Sequence, residues 1–128
     1  MLSRTKSKRK FSSSVKNCIN GFKFININED NFKREIFLGI IVLILSYVFR
    51  VNKIEFIIII IMIGLVLVCE TINTVVERLV DLVSPGYNKI AGEVKDIMAF
   101  AVLLMCIISL VIGAIIFIPK IISLQGGI

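Results

Sequence analysis

Apolar residues are gathered along this chain into three long blocks, separated by short polar segments. The blocks cover residues 36–49, 56–68 and 97–118. Extended by its flanks, each block supplies the roughly 20 residues that a helix needs to cross a hydrocarbon core of about 30 Å. The pattern therefore predicts three membrane-spanning helices. We place them at residues 32–50, 54–83 and 91–118.

The segment before the first block has a different period. From Phe11 to Ile25, apolar residues recur every three to four positions with polar residues between them. That spacing predicts an amphipathic helix over residues 11–25, lying in the membrane interface. Residues 1–10 are charged and polar and are expected to form a mobile basic tail. The polar run 26–31 is expected to cap the following helix.

Proline and glycine mark the predicted helix ends. Ser84-Pro85-Gly86 should end the second spanning helix, and Pro119 should end the third. The composition agrees with this arrangement, since 57% of the residues are hydrophobic and the mean hydropathy is +0.95. Such values are not those of an ordinary soluble protein. The predicted fold is a single all-α integral membrane domain over residues 1–128.

Basic residues are distributed unevenly along the chain. Nine of the fifteen Lys and Arg residues precede Ile36, and three more flank the connection at residues 82–95. The positive-inside rule therefore predicts a cytoplasmic N-terminus and an external C-terminus. The net charge of +6 does not call for nucleic acid, because orientation and anionic lipid headgroups explain a basic tail beside spanning helices.

Several kinds of chemistry lack the residues they require. The three cysteines are far apart in sequence and the chain has no histidine, so zinc ligation is poorly supported. Any general base must be a carboxylate, a lysine or a tyrosine. The sequence contains neither GxxxxGK[ST] nor GxGxxG, which excludes a P-loop and a Rossmann site.

The second spanning helix carries acids on one face. At 100° per residue, Glu77 and Asp81 each lie about 20° from Glu70 on the helical wheel, and Asn73 flanks them. With Glu55 at the outer boundary, Glu70 is roughly 22 Å along the helix and still within the core. A carboxylate there costs about 2–3 kcal/mol and is by default a functional candidate rather than a solvated helix end.

Glu77 lies further along and should reach the cytoplasmic interface. Glu77 and Asp81 repel each other weakly at i,i+4, a penalty that a bound cation, Arg78 or Lys95 would relieve. Magnesium prefers carboxylates together with substrate phosphates and several waters. One helix face would thus hold a metal–nucleotide complex at Glu77 and a lipid hydroxyl at Glu70.

Two further patches fall in the same cytoplasmic layer. Lys95-Asp96 opens the third spanning helix, where Lys95 either neutralises phosphate charge or anchors the helix at the interface. Glu29-Asp30 precedes the first spanning helix and either supplies a second metal ligand or begins that helix electrostatically.

These residues resemble a known family. The motif E-x-x-N-x-x-x-E-x-x-x-D at residues 70–81, with Lys95-Asp96 fourteen residues later, is similar to the signature of the small prokaryotic diacylglycerol kinases. That family includes the undecaprenol kinases of Gram-positive bacteria, whose branch the tail IGAIIFIPK resembles. The resemblance extends over about residues 10–120. It implies a homotrimer of three-helix protomers with an N-terminal surface helix, using Mg²⁺ and ATP.

The resemblance also implies roles for individual residues. Glu70 matches the general base that takes the proton of the lipid hydroxyl, and Glu29 and Glu77 match metal ligands that also meet the nucleotide. The other positions that match nucleotide contacts are Lys10, Asn17, Gly86, Tyr87, Asn88, Lys95 and Asp96. Positions that line the lipid site are Glu35, Glu70 and Ala99. Asn73 and Asp81 match the remaining signature positions.

The sequence departs from the family pattern at four positions. Val75 replaces a small residue, Asn88 stands where histidine is common, and Asn17 where some members have tyrosine. Lys10 stands where arginine is usual, and lysine cannot make arginine's bidentate phosphate contact.

The expected function is ATP-dependent phosphorylation of a membrane lipid alcohol, with undecaprenol the preferred acceptor and diacylglycerol the alternative. The rival interpretation is a non-enzymatic oligomer, such as a channel with an acidic cytoplasmic mouth.

Overall fold

The computed structural model describes residues 10–126. Every regular element in that range is an α-helix, as predicted. The predicted mobile tail, except for Lys10, lies outside the described residues. The helices are α1 (Phe11–Asn28), α2 (Asp30–Val48), α3 (Lys53–Val83) and α4 (Lys89–Gln125). Helix α3 is central: it packs most extensively against α4 and then against α2.

The amphipathic helix α1 is longer than predicted and continues to Asn28. The polar run does not form a cap, because Asn28 Nδ2 donates back to the Phe24 carbonyl at 2.8 Å. Only Glu29, with φ −119° and ψ 105°, separates α1 from α2. Its side chain makes no capping hydrogen bond within the described residues, so the predicted cap of α2 is wrong. Asp30 in the first turn of α2 instead complements the helix dipole.

Aromatic contacts attach α1 to the rest of the chain. The Phe22 ring packs edge-on against Phe32 of α2 with centroids 6.2 Å apart. The Arg78 guanidinium of α3 lies 4.4 Å from the centroid of the Phe24 ring, a cation–π contact. Helix α1 therefore covers the carboxyl-terminal part of α3, where the acid face is located.

The connection from α2 to α3 is tight. Arg50 has φ 52°, in the left-handed region, and the turn leads into Asn52. Asn52 and Glu55 form a reciprocal capping box with bonds of 2.9 and 3.0 Å. The two helices pack closely, since a Cβ added to Gly39 would lie 3.1 Å from Ile63 Cγ2.

Helix α4 does not end before Pro119, contrary to the prediction. It runs through the proline to Gln125. The residue after the proline explains the continuation: Lys120 Nζ lies 3.0 Å from Glu55 Oε2 and ties this turn to the start of α3. A tertiary contact thus outweighs the local helix-breaking effect of proline.

Within residues 10–126, α3 and α4 are long and apolar enough to cross a membrane. Helix α2 is apolar only from Ile36 onward, because its first turns carry four charged residues. Most large apolar side chains of the three helices are exposed. The chain alone therefore presents an apolar exterior, and little of its apolar surface is buried in a core.

Candidate active site

The acid face of α3 is at the end where α2 and α4 begin, which we call the acidic end. Glu70 is buried there, with only 7% of its surface exposed. Thr74, one turn later, is also buried, and its hydroxyl donates to the Glu70 carbonyl at 3.1 Å. The structure thus places Glu70 on the side of α3 that packs against the rest of the chain.

Other carboxylates surround Glu70. Glu35 of α2, Glu29 at the α1–α2 junction and Glu77 of α3 each repel the Glu70 carboxylate electrostatically. Three chain segments therefore bring four acids into one neighbourhood. Like charges gathered at low solvent exposure favour binding of a proton or a cation.

The amide of Asn73 links this group to Glu77. Asn73 Nδ2 donates to Glu77 Oε1 at 3.3 Å. Asn73 Oδ1 is buried and has no hydrogen-bond partner in the described part of the chain. A buried amide oxygen without a donor is unusual, and it adds a hard oxygen beside the Glu77 carboxylate.

These oxygen donors suit a magnesium ion that is bound together with phosphates and waters, rather than a metal ion held by protein ligands alone. No group of three acidic or cysteine side chains within residues 10–126 is close enough to hold a metal ion alone. Magnesium, however, is usually bound by one or two carboxylates together with phosphate oxygens and waters. The donor chemistry of Glu29 and Glu77 fits that mode of binding.

Asp81 and Lys95 form an ion pair between α3 and α4. Lys95 Nζ lies 2.6 Å from Asp81 Oδ1, and both side chains are substantially exposed. Of the two cations considered for relieving the Glu77–Asp81 repulsion, Lys95 is the one that pairs with this face. Arg78 points to the Phe24 ring instead.

The remaining predicted nucleotide positions are all exposed. Tyr87 is 99% exposed in the loop that follows Gly86. Asn88 Oδ1 accepts from the backbone of Ile90 and Ala91 at 2.9 and 3.2 Å and caps α4. The other exposed nucleotide positions are Lys10, Asn17 and Asp96, and Ala99, predicted to line the lipid site, is also exposed.

An apolar cavity of about 430 Å³ opens between α2, α3 and α4. Glu35 is its one acidic lining residue among those described, and Glu70 and Ala99 do not line it. Sequence reasoning did not find the cavity. Its signal is the set of small residues that leave the space open, namely Gly39, Ser109, Gly113 and Ala114.

Comparison with known proteins shows to which family the chain is similar. The family described as prokaryotic diacylglycerol kinase matches residues 16–117. Undecaprenol kinase of Bacillus subtilis (strain 168) is 36% identical over 92 residues, covering 72% of this chain and 75% of that protein. Diacylglycerol kinase of Haemophilus influenzae is 33% identical over 106 residues, covering 82% of this chain and 90% of that protein.

The diacylglycerol kinase of Escherichia coli (strain K12) is more distant, at 26% identity over 91 residues. The matched region contains Glu70, Glu77 and Lys95 and all three long helices except the last turns of α4. The resemblance inferred from the acid motif is confirmed: the chain belongs to the prokaryotic diacylglycerol kinase family, which is a family of lipid kinases.

Proposed function

We propose that this protein transfers the γ-phosphate of ATP to the hydroxyl of undecaprenol in the bacterial cell membrane. The observation that carries the proposal is the buried Glu70, with carboxylates near it and an apolar groove lined by Glu35 between α2, α3 and α4. Such a groove suits an isoprenoid chain, and the acids suit a proton and a metal-bound phosphate.

The proposal includes three membrane-spanning helices in each protomer. Helix α2 runs antiparallel to α3 and is about 28 Å long, of which the apolar part from Ile36 onward covers about 20 Å of a hydrocarbon core of about 30 Å. The four charged residues in the first turns of α2 are all at the acidic end, where they would meet the cytoplasmic interface. Helix α1 would lie in that interface, with the N-terminus in the cytoplasm and the C-terminus outside.

Glu70 would accept the proton of the lipid hydroxyl. A general base must be within hydrogen-bond reach of the proton that it removes, and the depth of Glu70 suits a hydroxyl held just below the headgroups.

Glu29 and Glu77 would hold magnesium with the phosphates, and Asn73 would orient Glu77 through its 3.3 Å hydrogen bond. When bound, magnesium neutralises charge on the phosphate oxygens and orients the transferred group. Lys95 would leave Asp81 to stabilise negative charge that develops on the transferred phosphate. The loop residues Gly86, Tyr87 and Asn88, with Asp96, would surround the nucleotide.

Oligomerisation belongs to the same proposal. The exposed apolar faces of α3 and α4 require cover from lipid or from other copies of the chain. We propose a homotrimer, in accordance with the family resemblance.

The test is phosphate transfer from Mg-ATP by purified protein in detergent, with undecaprenol and diacylglycerol compared side by side. We expect undecaprenol to have the higher kcat/KM. Faster transfer to diacylglycerol would support the proposed reaction but show that diacylglycerol, and not undecaprenol, is the acceptor. Transfer to neither lipid by folded protein would contradict the proposal and favour the channel interpretation.

A further inference from the structure

Helices α3 and α4 meet along a heptad seam. The Glu55–Lys120 ion pair fixes one point of contact between them. From this pair, alternating steps of four and three residues mark the side of each helix that faces the other. Residue numbers increase along these steps on α3 and decrease on α4. On α3 these positions are Glu55, Ile59, Met62, Val66, Cys69 and Asn73. On α4 they are Lys120, Ile116, Gly113, Ser109, Cys106 and Val102. All of them are buried or half-buried, as the seam of an antiparallel helix pair requires.

Two observations agree with this register. Ile59 and Ile116, which the seam places opposite each other, are both buried, at 4% and 7% exposure. Met62 and Gly113, the next facing pair, line the same cavity. The seam therefore holds over at least two turns from the ion pair.

Continued by one further heptad, the seam brings two cysteines face to face. Cys69 and Cys106 are each 14 residues from the members of the Glu55–Lys120 pair. Cys69, Glu35 and Glu70 are all close enough to Cys106 to interact with it electrostatically, which agrees with this placement of the two cysteines. Both cysteines are free thiols and half-buried.

We propose that Cys69 and Cys106 are a redox-sensitive dithiol site, which membrane-permeable two-electron oxidants close into a disulfide between α3 and α4. Facing positions on closely packed helices can meet the disulfide requirement of Cα atoms about 4.4–6.8 Å apart. Ser109 and Gly113, one and two turns along α4, are small enough to permit that approach.

The reaction balances with a peroxide or an azodicarboxamide. Each thiol loses one proton and one electron, two S–H bonds break and one S–S bond forms. Hydrogen peroxide takes up both protons and both electrons and leaves as two waters, whereas an azodicarboxamide becomes the hydrazine. In a reducing cytoplasm the site rests as the dithiol, so the disulfide forms during oxidative exposure.

The disulfide would act on catalysis through Glu70, which follows Cys69 directly. This consequence rests on the proposed role of Glu70 as general base. Cross-linking restrains α3 beside the base, and a displacement of about 1 Å can reduce a rate on the order of 100-fold. We expect turnover to fall by about 10- to 100-fold on oxidation and to recover on reduction.

The first measurement is chemical and does not depend on activity. In a Cys18→Ser background, which removes the exposed cysteine of α1, the folded protein is treated with an azodicarboxamide. We expect the accessible thiol count to fall from two to none, with the intact mass reduced by two hydrogens and a Cys69–Cys106 peptide on digestion. Retention of both thiols, or a disulfide joining two chains, would overturn the proposal.

A control variant that moves a cysteine by one position along α4 tests whether the disulfide requires cysteines at facing positions of α3 and α4. Cys106→Ala combined with Ile107→Cys moves the thiol to the exposed side of α4. This variant should form no intrachain disulfide, whereas Met62→Cys with Gly113→Cys in a cysteine-free chain should form one. Equal cross-linking of the two variants would contradict the seam.

The second measurement is kinase turnover before oxidation, after oxidation and after reduction with dithiothreitol. The Cys18→Ser protein should lose and regain turnover, and Cys18→Ser with Cys106→Ala should keep it throughout. If the disulfide forms and turnover is unchanged, the regulatory role is wrong. A protein that forms the disulfide but never phosphorylates a lipid would instead contradict the proposed function.

Discussion

The two ends of the α3–α4 pair are each closed by a lysine–carboxylate contact, but the two contacts differ. At the opposite end, Glu55 accepts from Lys120 at 3.0 Å and from the Asn52 backbone at 3.0 Å. Both side chains of that pair are only 24% exposed. At the acidic end, Lys95 meets Asp81 through one 2.6 Å contact, with side chains 40% and 66% exposed.

The difference indicates two uses of the same chemistry. The Glu55 carboxylate is part of the capping box and of the α4 contact, so the fold already uses both of its oxygens. Asp81 has no comparable second role, since Lys95 is its one partner among the described side-chain contacts. The proposed reaction would therefore take Lys95 from Asp81 with little structural cost, whereas removal of Lys120 from Glu55 should disturb the start of α3.

The largest expected effect follows from comparing Glu70→Gln with Glu55→Gln, two isosteric changes on one helix. Loss of a general base typically reduces turnover by about 10²- to 10⁴-fold, so Glu70→Gln should lower kcat in that range while Mg-ATP still binds. Glu55→Gln should retain kcat and unfold at a lower temperature, since it weakens the Lys120 contact. Turnover and nucleotide binding of both variants are measured in the same detergent.

A substantial residual rate in Glu70→Gln would show that another group removes the proton. If Glu55→Gln lost as much kcat as Glu70→Gln, it would be wrong to assign the reaction to the acidic end and a purely structural role to the opposite end.

The next effect concerns the two lysines. Lys95→Met should reduce kcat by about 10²-fold, as removal of one transition-state donor commonly does, with little change in unfolding temperature. Lys120→Met should show the reverse pattern, because Glu55 is left without its cation next to the helix start. Steady-state kinetics and thermal unfolding of both variants provide the measurement.

Two outcomes would contradict the assignment of the lysines. A Lys95→Met protein with normal kcat and reduced thermal stability would make Lys95 an interfacial anchor, the alternative that the sequence left open. Normal thermal stability of Lys120→Met would remove the explanation for the continuation of α4 through Pro119.

A smaller effect is expected for Glu77→Gln. The change retains the acceptor for Asn73 Nδ2 and removes the charge that attracts the metal. The magnesium concentration for half-maximal activity should rise by at least about 10- to 100-fold, since loss of a partner outside the ligand shell already has an effect of that size. Asp30→Asn, which lies beside Glu29 and bonds only Lys33 among the described residues, is the control. A magnesium titration of Glu77→Gln identical to that of the parent would exclude Glu77 as a ligand.

The fold was predictable where hydrophobic period alone decides it. Three long apolar blocks and one amphipathic segment gave four helices, and Ser84 follows the last residue of α3 as the Ser-Pro-Gly signal requires. Pro119 was misread because the contact that carries α4 beyond it joins Lys120 to a residue 65 positions away. Local sequence rules contain no information about such a partner.

The site was predictable to the extent that it lies on one helix. The wheel positions of Glu70 and Glu77 follow from spacing, and their burial pattern agrees with it. The cavity and the unpaired Asn73 oxygen depend on how α2 and α4 pack against α3, which periodicity does not specify. The use of Asn88 as a helix cap was likewise hidden, because Asn88 was considered only as a nucleotide contact.

The smallest expected effect compares two caps. Asn88 begins α4 at the acidic end and Asn52 begins α3 at the opposite end, and each accepts backbone hydrogen bonds through its side chain. Replacing an Asn cap by Ala typically destabilises a protein by about 1 kcal/mol, so Asn52→Ala and Asn88→Ala should unfold at similarly reduced temperatures. Only Asn88→Ala should also raise the KM for ATP, by a few fold.

Serine at the same position separates the two roles of Asn88. Asn88→Ser retains an oxygen that can cap α4 but lacks the amide NH₂, which the cap leaves free to face a nucleotide. Recovery of thermal stability without recovery of the KM for ATP would assign the NH₂ group to the nucleotide. Recovery of both would show that Asn88 acts through the cap alone. Asn88 would then have only a structural role, as Asn52 does. The first residue of α4 with a role in the reaction would be Lys95.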